Sequence, residues 1–247
     1  MKILFEACVD SVESALNVEA GGADRIELCA DLLEGGITPS YAMLKLVIEK
    51  LTIPVNVLVR PRGGDFLYTD YEFEVIKRDI EYCKQIGVNG VVIGILNDDG
   101  TVDKVRTEEL VKAARPMSVT FHRAFDMTRE PEEALNTLIE LGVDRLLTSG
   151  QEADVHKGIP TLKKLVEIAN NRIIIMPGGG VDELNIKKVV EKTGVKEIHA
   201  SAREKARSKM NYINTRTSMS DSKSMEEYDL MVTSEEKIRA IVNAINQ

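Results

Sequence analysis

The fold is decided by residues 22–29, GADRIELC, because the pattern of this stretch returns three more times along the chain. Each copy has a glycine, a short spacer and an apolar run that is typical of a buried strand. The other copies are residues 87–94 (GVNGVVIG), 142–149 (GVDRLLTS) and 194–201 (GVKEIHAS). Their recurrence indicates that the four segments occupy equivalent places in one structure.

Four further strand-like segments alternate with these copies. They are residues 2–9 (KILFEACV), 54–62 (PVNVLVRPR), 117–124 (MSVTFHRA) and 172–179 (RIIIMPGG). A helical stretch follows each strand, and we expect the first helix to start at Asp10 and the second at Thr38. Eight strand–helix units match a (β/α)8 barrel, which typically needs about 250 residues. The sequence therefore predicts an α/β chain with a single TIM-barrel domain over residues 1–247.

Composition limits the classes of function. A hydrophobic content of 43% supports a large core, while no apolar run reaches the ~18 residues that a membrane-spanning helix needs. The first residues lead directly into a strand without a signal-peptide pattern, so we expect a cytoplasmic location and no membrane partner. The formal net charge of -8, without a basic stripe, argues against a nucleic-acid partner.

Charged residues at the strand ends predict a site at the mouth of the barrel, where the carboxyl ends of the strands meet. Aligning the strands places Glu6, Arg60 and His122 at one inward level, and Glu27 with His199 at another. Such groups are costly to bury unpaired, so they must pair with one another or contact a ligand. We expect Glu6, Glu27, Arg60 and His122 to form one hydrogen-bonded cluster with a catalytic role. A purely structural salt-bridge plug is the alternative.

Glycine-rich sequence after the seventh strand predicts an anion site. MPGGGV places Gly178, Gly179 and Gly180 there, and ASAR places Ser201 after the eighth strand. Barrels often build a phosphate site at these two loops, and glycine lets backbone N–H groups approach an anion closely. We predict that these four residues bind a small anion; an ordinary tight turn is the alternative.

Two cysteines end neighbouring strands. Cys8 follows Glu6 by two residues, and Cys29 follows Glu27 by two. Neighbouring strands lie about 4.8 Å apart, and two thiolates at roughly 2.3 Å from one metal span a similar distance. Cys8 and Cys29 could therefore hold a soft ion such as Cu(I), form a disulfide under oxidation, or pack as small apolar side chains.

Residues 203–232 interrupt the alternation of strands and helices. This segment, rich in Ser, Lys, Asn and Met, forms an extended loop between strand 8 and the last helix. A disordered segment, a lid and a subunit contact are three interpretations of it. The bulky Met210, Tyr212, Tyr228 and Met231 favour packing against some surface.

Eight short motifs occur in a fixed order: CVDS, GADRIELC, GGITPS, RPRGGDFLY, TFHRAFDM, LTSG, IMPGGG and IHASA. In this order they resemble the CutC copper homeostasis protein family over essentially the whole chain. The resemblance implies a (β/α)8 barrel, a cytoplasmic location, a homo-oligomer and a role in copper handling. It also implies two Cu(I) ligands, which match Cys8 and Cys29. Copper homeostasis is the first functional hypothesis, and a TIM-barrel enzyme acting on a small anionic or phosphorylated metabolite is the alternative. A subunit scaffold without chemistry is the third hypothesis.

Overall fold

Eight parallel strands form the sheet of the protein in a computed structural model, which describes residues 2–217 and 227–246. The strands are β1 (Leu4–Val9), β2 (Arg25–Leu28), β3 (Val55–Leu58), β4 (Gly90–Ile93), β5 (Ser118–Phe121), β6 (Arg145–Thr148), β7 (Ile174–Pro177) and β8 (Glu197–Ala200). Hydrogen bonds join them in the order β7-β6-β5-β4-β3-β2-β1-β8. Because β8 also lies beside β7, the sheet curls into a nearly closed barrel.

A helix follows each strand of the barrel in the chain. The helices are α1 (Val12–Gly21), α2 (Tyr41–Lys50), α3 (Asp70–Ile86), α4 (Lys104–Ala114), α5 (Pro131–Glu140), α6 (Val155–Ala169), α7 (Ile186–Thr193) and α8 (Glu235–Asn246). This alternation confirms the predicted TIM barrel. Within the described residues, none of the helices has the length and apolar character needed to cross a membrane.

Two helices begin slightly later than the sequence predicts, because serines rather than the expected residues cap them. The Ser11 hydroxyl, not Asp10, caps α1, and the Ser40 hydroxyl caps α2. Serine is among the preferred residues at the N-cap of a helix because its oxygen accepts a hydrogen bond from a free backbone N–H of the first turn. Thr38 instead exchanges hydrogen bonds with the backbone of Arg60, which anchors the loop after β3.

The extended loop after β8 starts and ends as a hairpin that the sequence pattern did not predict. Strand β9 (Arg203–Arg207) pairs antiparallel with β10 (Asp229–Thr233). Tyr228 and Met231 are half-buried, whereas Met210 and Tyr212 are 60% and 67% exposed. The expectation that these bulky residues pack against a surface therefore holds for Tyr228 and Met231 and not for Met210 and Tyr212. Residues 218–226 of the loop lie outside the described residues.

The interior of the barrel holds a buried ion network. Arg25 donates to Glu6 at 2.5 Å and to Glu197 at 2.7 Å, and Arg145 donates to Glu197 at 2.5 Å. Asn56 adds a hydrogen bond to Glu6 at 2.9 Å. These residues lie on β1, β2, β3, β6 and β8, so their contacts cross the interior. The network balances two carboxylates with two guanidinium groups and supports the floor of the mouth.

Candidate functional site

A cavity of about 350 Å³ opens at the mouth of the barrel. Its walls combine thiols, imidazoles, a carboxylate and guanidinium groups with several apolar side chains. The polar and charged side chains are Cys8, Glu27, Cys29, Arg60, His122, Arg123, His199, Ser201 and Arg203. The cavity lies where the active sites of TIM barrels are found, so it is the candidate functional site.

Three donor side chains meet on the floor of this cavity. Cys8, Glu27 and His199 come from β1, β2 and β8, which are neighbours in the barrel. One ligand atom from each lies within 4.8 Å of the other two. A sulfur, an oxygen and a nitrogen donor at this spacing could hold a metal ion.

His199 is the central residue of this group. Its Nδ1 lies 2.9 Å from Glu6 Oε1, and its Nε2 lies 3.6 Å from Glu27 Oε2. Burial alone would lower the pKa of His199, but the neighbouring Cys8, Glu6 and Glu27 outweigh burial and raise it well above its usual value. The contact with Glu6 fixes the orientation of the ring and leaves Nε2 on the side of Cys8 and Glu27. Metal-binding histidines are commonly oriented in this way through their other ring nitrogen.

The two carboxyl groups beside His199 differ in charge. Burial alone would raise the pKa of Glu6, but Arg25, followed by His199, lowers it below its usual range, so Glu6 is ionised. For Glu27, burial raises the pKa to about 7, against the opposing effect of His199. Their surroundings therefore give two chemically identical carboxyl groups different pKa values, and Glu27 can hold or release a proton near neutral pH.

Both cysteines predicted as metal ligands line the cavity. Cys8 is 9% exposed and Cys29 is 1% exposed, and they share a packed cluster with Leu58 and Val92. Cys29 lies outside the mutual 4.8 Å group. Burial raises the pKa of Cys29 well above its usual value, so its thiolate needs a compensating positive charge such as a metal ion. Cys83 is buried in α3 within the main core.

Arg60 occupies another wall, in the loop after β3. Its Nη1 donates to the carbonyls of Glu34 and Gly36, at 2.9 and 2.8 Å, and its Nη2 donates to that of Gly64 at 2.8 Å. Its guanidinium also lies over the Phe66 ring, 5.1 Å from the centroid. Arg60 is thus held by carbonyl oxygens and an aromatic face.

His122 also lies beside Phe66, with the two ring centroids 5.0 Å apart. Its Nδ1 accepts a hydrogen bond from the Ala124 N–H at 3.0 Å, which places the proton of the neutral ring on Nε2. Burial and then the charge of Arg60 lower the pKa of His122 to about 3. His122 is therefore a neutral hydrogen-bond donor at physiological pH.

The prediction that Glu6, Glu27, Arg60 and His122 form one hydrogen-bonded cluster is wrong. The two glutamates share His199, whereas Arg60 and His122 both lie beside the Phe66 ring. The prediction that these positions face into the barrel is correct, but Asn56 is the β3 residue that contacts Glu6. Arg60 lies four residues beyond it, a distance of about 13 Å along an extended chain.

The catalytic roles of these residues stay a prediction, and the structure limits which of them could touch a ligand. Glu6 is fully buried below the floor and does not line the cavity, unlike Glu27, Arg60 and His122. Glu6 can therefore act on a ligand only through a residue such as His199.

The predicted anion-binding residues are mostly at the cavity. Gly179, Gly180 and Ser201 line it, whereas Gly178 does not. The Gly178 N–H donates to the Thr148 carbonyl at 3.0 Å and so is not free to bind an anion. The prediction is therefore corrected at Gly178. Gly178 instead makes room for its neighbours, because a Cβ there would lie 2.5 Å from Leu147 Cδ1.

Among the charged residues of the cavity, sequence reasoning missed Arg123 and Arg203. Arg123 follows β5 and pairs with Asp126 at 2.7 Å. Arg203 begins β9, and its Nη1 lies 4.0 Å from Asp10. Arg203 belongs to a cluster of Lys and Arg that reads as a solvated loop, and only the hairpin places it at the mouth.

Comparison with known proteins supports the resemblance to the CutC family that the sequence motifs indicate. The model of the CutC family matches residues 3–204. The human copper homeostasis protein cutC homolog is 50% identical over 242 residues, which cover 98% of this chain and 88% of the human one. A CutC family protein of Parabacteroides distasonis is 50% identical over 244 residues, covering 98% of this chain and 100% of its own.

A solved structure agrees with these relatives. The crystal structure of CutC from Streptococcus agalactiae matches with a TM-score of 0.78 at 35% sequence identity. The match covers 81% of this chain and 98% of that one. Family model, close relatives and fold lead to the same assignment, and the chain belongs to the CutC family.

Proposed function

We propose that the protein serves copper homeostasis by binding Cu(I) at the barrel mouth, with Cys8 and Cys29 as thiolate ligands and His199 as a nitrogen ligand. One observation carries the proposal: Cys8, His199 and Glu27 offer ligand atoms within 4.8 Å of one another, beside the second thiol. Soft thiolates favour Cu(I), and imidazole also suits copper. Glu27 offers a hard oxygen, so it is left out of the ligand set.

The surroundings of His199 support this assignment. Glu6 contacts Nδ1 of the ring at 2.9 Å, and Arg25 in turn donates to Glu6 at 2.5 Å. Such outer partners orient a metal-binding histidine and maintain its tautomer. The buried ion network thus holds the nitrogen ligand in place from below.

The proposal includes the cytoplasmic location and self-association that the family resemblance implies. All three cysteines are free, and the reducing cytoplasm keeps thiols available for a soft metal. Sedimentation velocity of the purified protein tests self-association, for which we expect a species larger than one chain.

Replacing both mouth thiols should abolish tight Cu(I) binding. In an anaerobic competition titration against a chromogenic Cu(I) chelator, we expect Cys8→Ser/Cys29→Ser to lose more than about 100-fold in affinity. Loss of an outer-shell partner alone typically costs about 10- to 100-fold, and the loss of direct ligands should cost more.

Cys83→Ser is the matched control for this titration, because Cys83 is also a buried free thiol but lies in α3. It should bind Cu(I) like the wild type, and circular dichroism should show that all variants are folded. The proposal is wrong if the double variant keeps wild-type affinity, or if only Cys83→Ser loses it.

A further inference from the structure

Within the described part of the chain, three buried hydrogen-bond donors of residues that line the mouth cavity lack a partner. They are Arg60 Nε, His122 Nε2 and Arg203 Nε, and they are half of the six such side-chain atoms found among the described residues. Buried polar groups are normally hydrogen-bonded. All three atoms carry N–H groups, so a ligand that pairs with them has to offer hydrogen-bond acceptors.

The charges of the cavity indicate an anion. The chain has a formal net charge of -8, yet among the described residues three arginines and one carboxylate, that of Glu27, line this cavity. Arg123 pairs with Asp126 and Arg203 lies 4.0 Å from Asp10, so Arg60 is the arginine of the three that has no carboxylate partner among the described residues. Arg60 is 6% exposed, and carbonyl oxygens are its hydrogen-bond partners within the part of the chain that the structure describes. A buried guanidinium without a counter-charge is costly, and an anionic ligand would neutralise it.

The rim after β7 and β8 offers further donors to the same space. Gly179 and Gly180 have φ values of 103° and 78°, a left-handed conformation that favours glycine. Over residues 2–217 and 227–246, their N–H groups donate to no backbone carbonyl. Ser201 and Arg203 line the cavity from the neighbouring β8 side. Backbone, hydroxyl and guanidinium donors thus occupy the two loops that often form a phosphate site in TIM barrels.

We infer that the cavity binds a small phosphorylated molecule, whose phosphate lies on the rim formed by residues 179–180, Ser201 and Arg203. The three terminal oxygens of a phosphate ester accept from several directions at once, which fits this set of donors better than a carboxylate does. Across the mouth, Arg60 and His122 donate to oxygen atoms of the remaining part of the molecule. The cavity volume of about 350 Å³ suits a small ligand.

Isothermal titration calorimetry of the metal-free protein tests this inference, with inorganic phosphate and glycerol 3-phosphate as probes. Both should give saturable binding, and the ester should bind more tightly because it reaches more of the cavity. Acetate at the same ionic strength should give none. Arg203→Gln should weaken binding of the ester about tenfold or more, because a charge-assisted hydrogen bond is lost.

Further variants make the outcome decisive. Ser201→Ala, a milder change, should weaken ester binding by a smaller factor, and Arg78→Gln, which alters an exposed arginine of α3, should leave it unchanged. The titration uses metal-free protein, so ester binding is measured apart from copper binding, and Cys83→Ser, which alters a thiol of the main core in α3, should bind the ester like the wild type. Absence of saturable binding by both phosphate probes, equal binding of acetate, or wild-type affinity in Arg203→Gln and Ser201→Ala would overturn the inference.

Discussion

Arg25→Ala should destabilise the protein by about 3–5 kcal/mol, because breaking a buried ion pair leaves uncompensated buried charge. The Arg25 side chain is 8% exposed and contacts both Glu6 and Glu197. Its loss would leave Glu6 without its strongest cationic partner and Glu197 with Arg145 alone. For a chain of this size, we expect the melting temperature to fall by roughly 6 to 20 °C.

Thermal and urea unfolding followed by circular dichroism would measure the effect of Arg25→Ala. Arg78→Ala is the control, since the Arg78 side chain is 72% exposed and pairs with Glu74 on the surface of α3. An exposed pair of this kind contributes only ~0.3–0.5 kcal/mol. If Arg25→Ala has the same melting temperature as the Arg78→Ala control, the buried network does not stabilise the barrel.

Acid should destabilise the protein through His122. Its pKa is lowered from 6.5 to about 3 in the folded chain, so between these values the unfolded state binds the proton and the folded state does not. The stability linked to His122 is therefore fully present above pH 6.5 and is lost as the pH falls towards 3. A difference of about 3.5 pH units corresponds to roughly 5 kcal/mol over the whole window.

Urea unfolding of the wild type and His122→Gln between pH 7.5 and roughly pH 4 would measure this effect. Glutamine retains an acceptor for the Ala124 N–H but has no proton to gain. We expect the unfolding free energy of the wild type to fall more steeply with acid, by up to ~1.4 kcal/mol per pH unit. The interpretation of His122 is wrong if the two curves remain parallel, because other titrating groups affect both proteins alike.

The barrel could be predicted because its signal is repeated and local. Each copy of the glycine–spacer–strand pattern specifies a turn and a buried strand, and eight strand–helix units leave few other folds of this length. The fourth position of the same pattern holds Arg25, Gly90, Arg145 and Glu197. Arg25, Arg145 and Glu197 belong to the buried network. At Gly90, a Cβ would lie 2.4 Å from Asn56 Oδ1, so the small residue makes space for its polar neighbours.

The partners of the site residues could not be predicted in the same way. The alternation of side chains along a strand predicts the face on which Arg60 lies. The position of Arg60 along the barrel axis depends on where β3 ends and on how the following loop folds. Carbonyl oxygens of two loops therefore hold Arg60, and His199 takes the place beside Glu6 and Glu27. Arg203 reaches the cavity through a hairpin whose strands are separated by residues 208–228, and the local sequence pattern does not reveal such pairing.

X-ray absorption of the Cu(I)-loaded protein tests the proposed copper site most directly, because it identifies the atoms bound to the metal. The wild type and Cys83→Ser should show two sulfur ligands and an imidazole nitrogen, and Cys29→Ser should show one sulfur. A copper shell without sulfur, or one that stays unchanged in both Cys8→Ser and Cys29→Ser, would contradict Cu(I) binding at the barrel mouth.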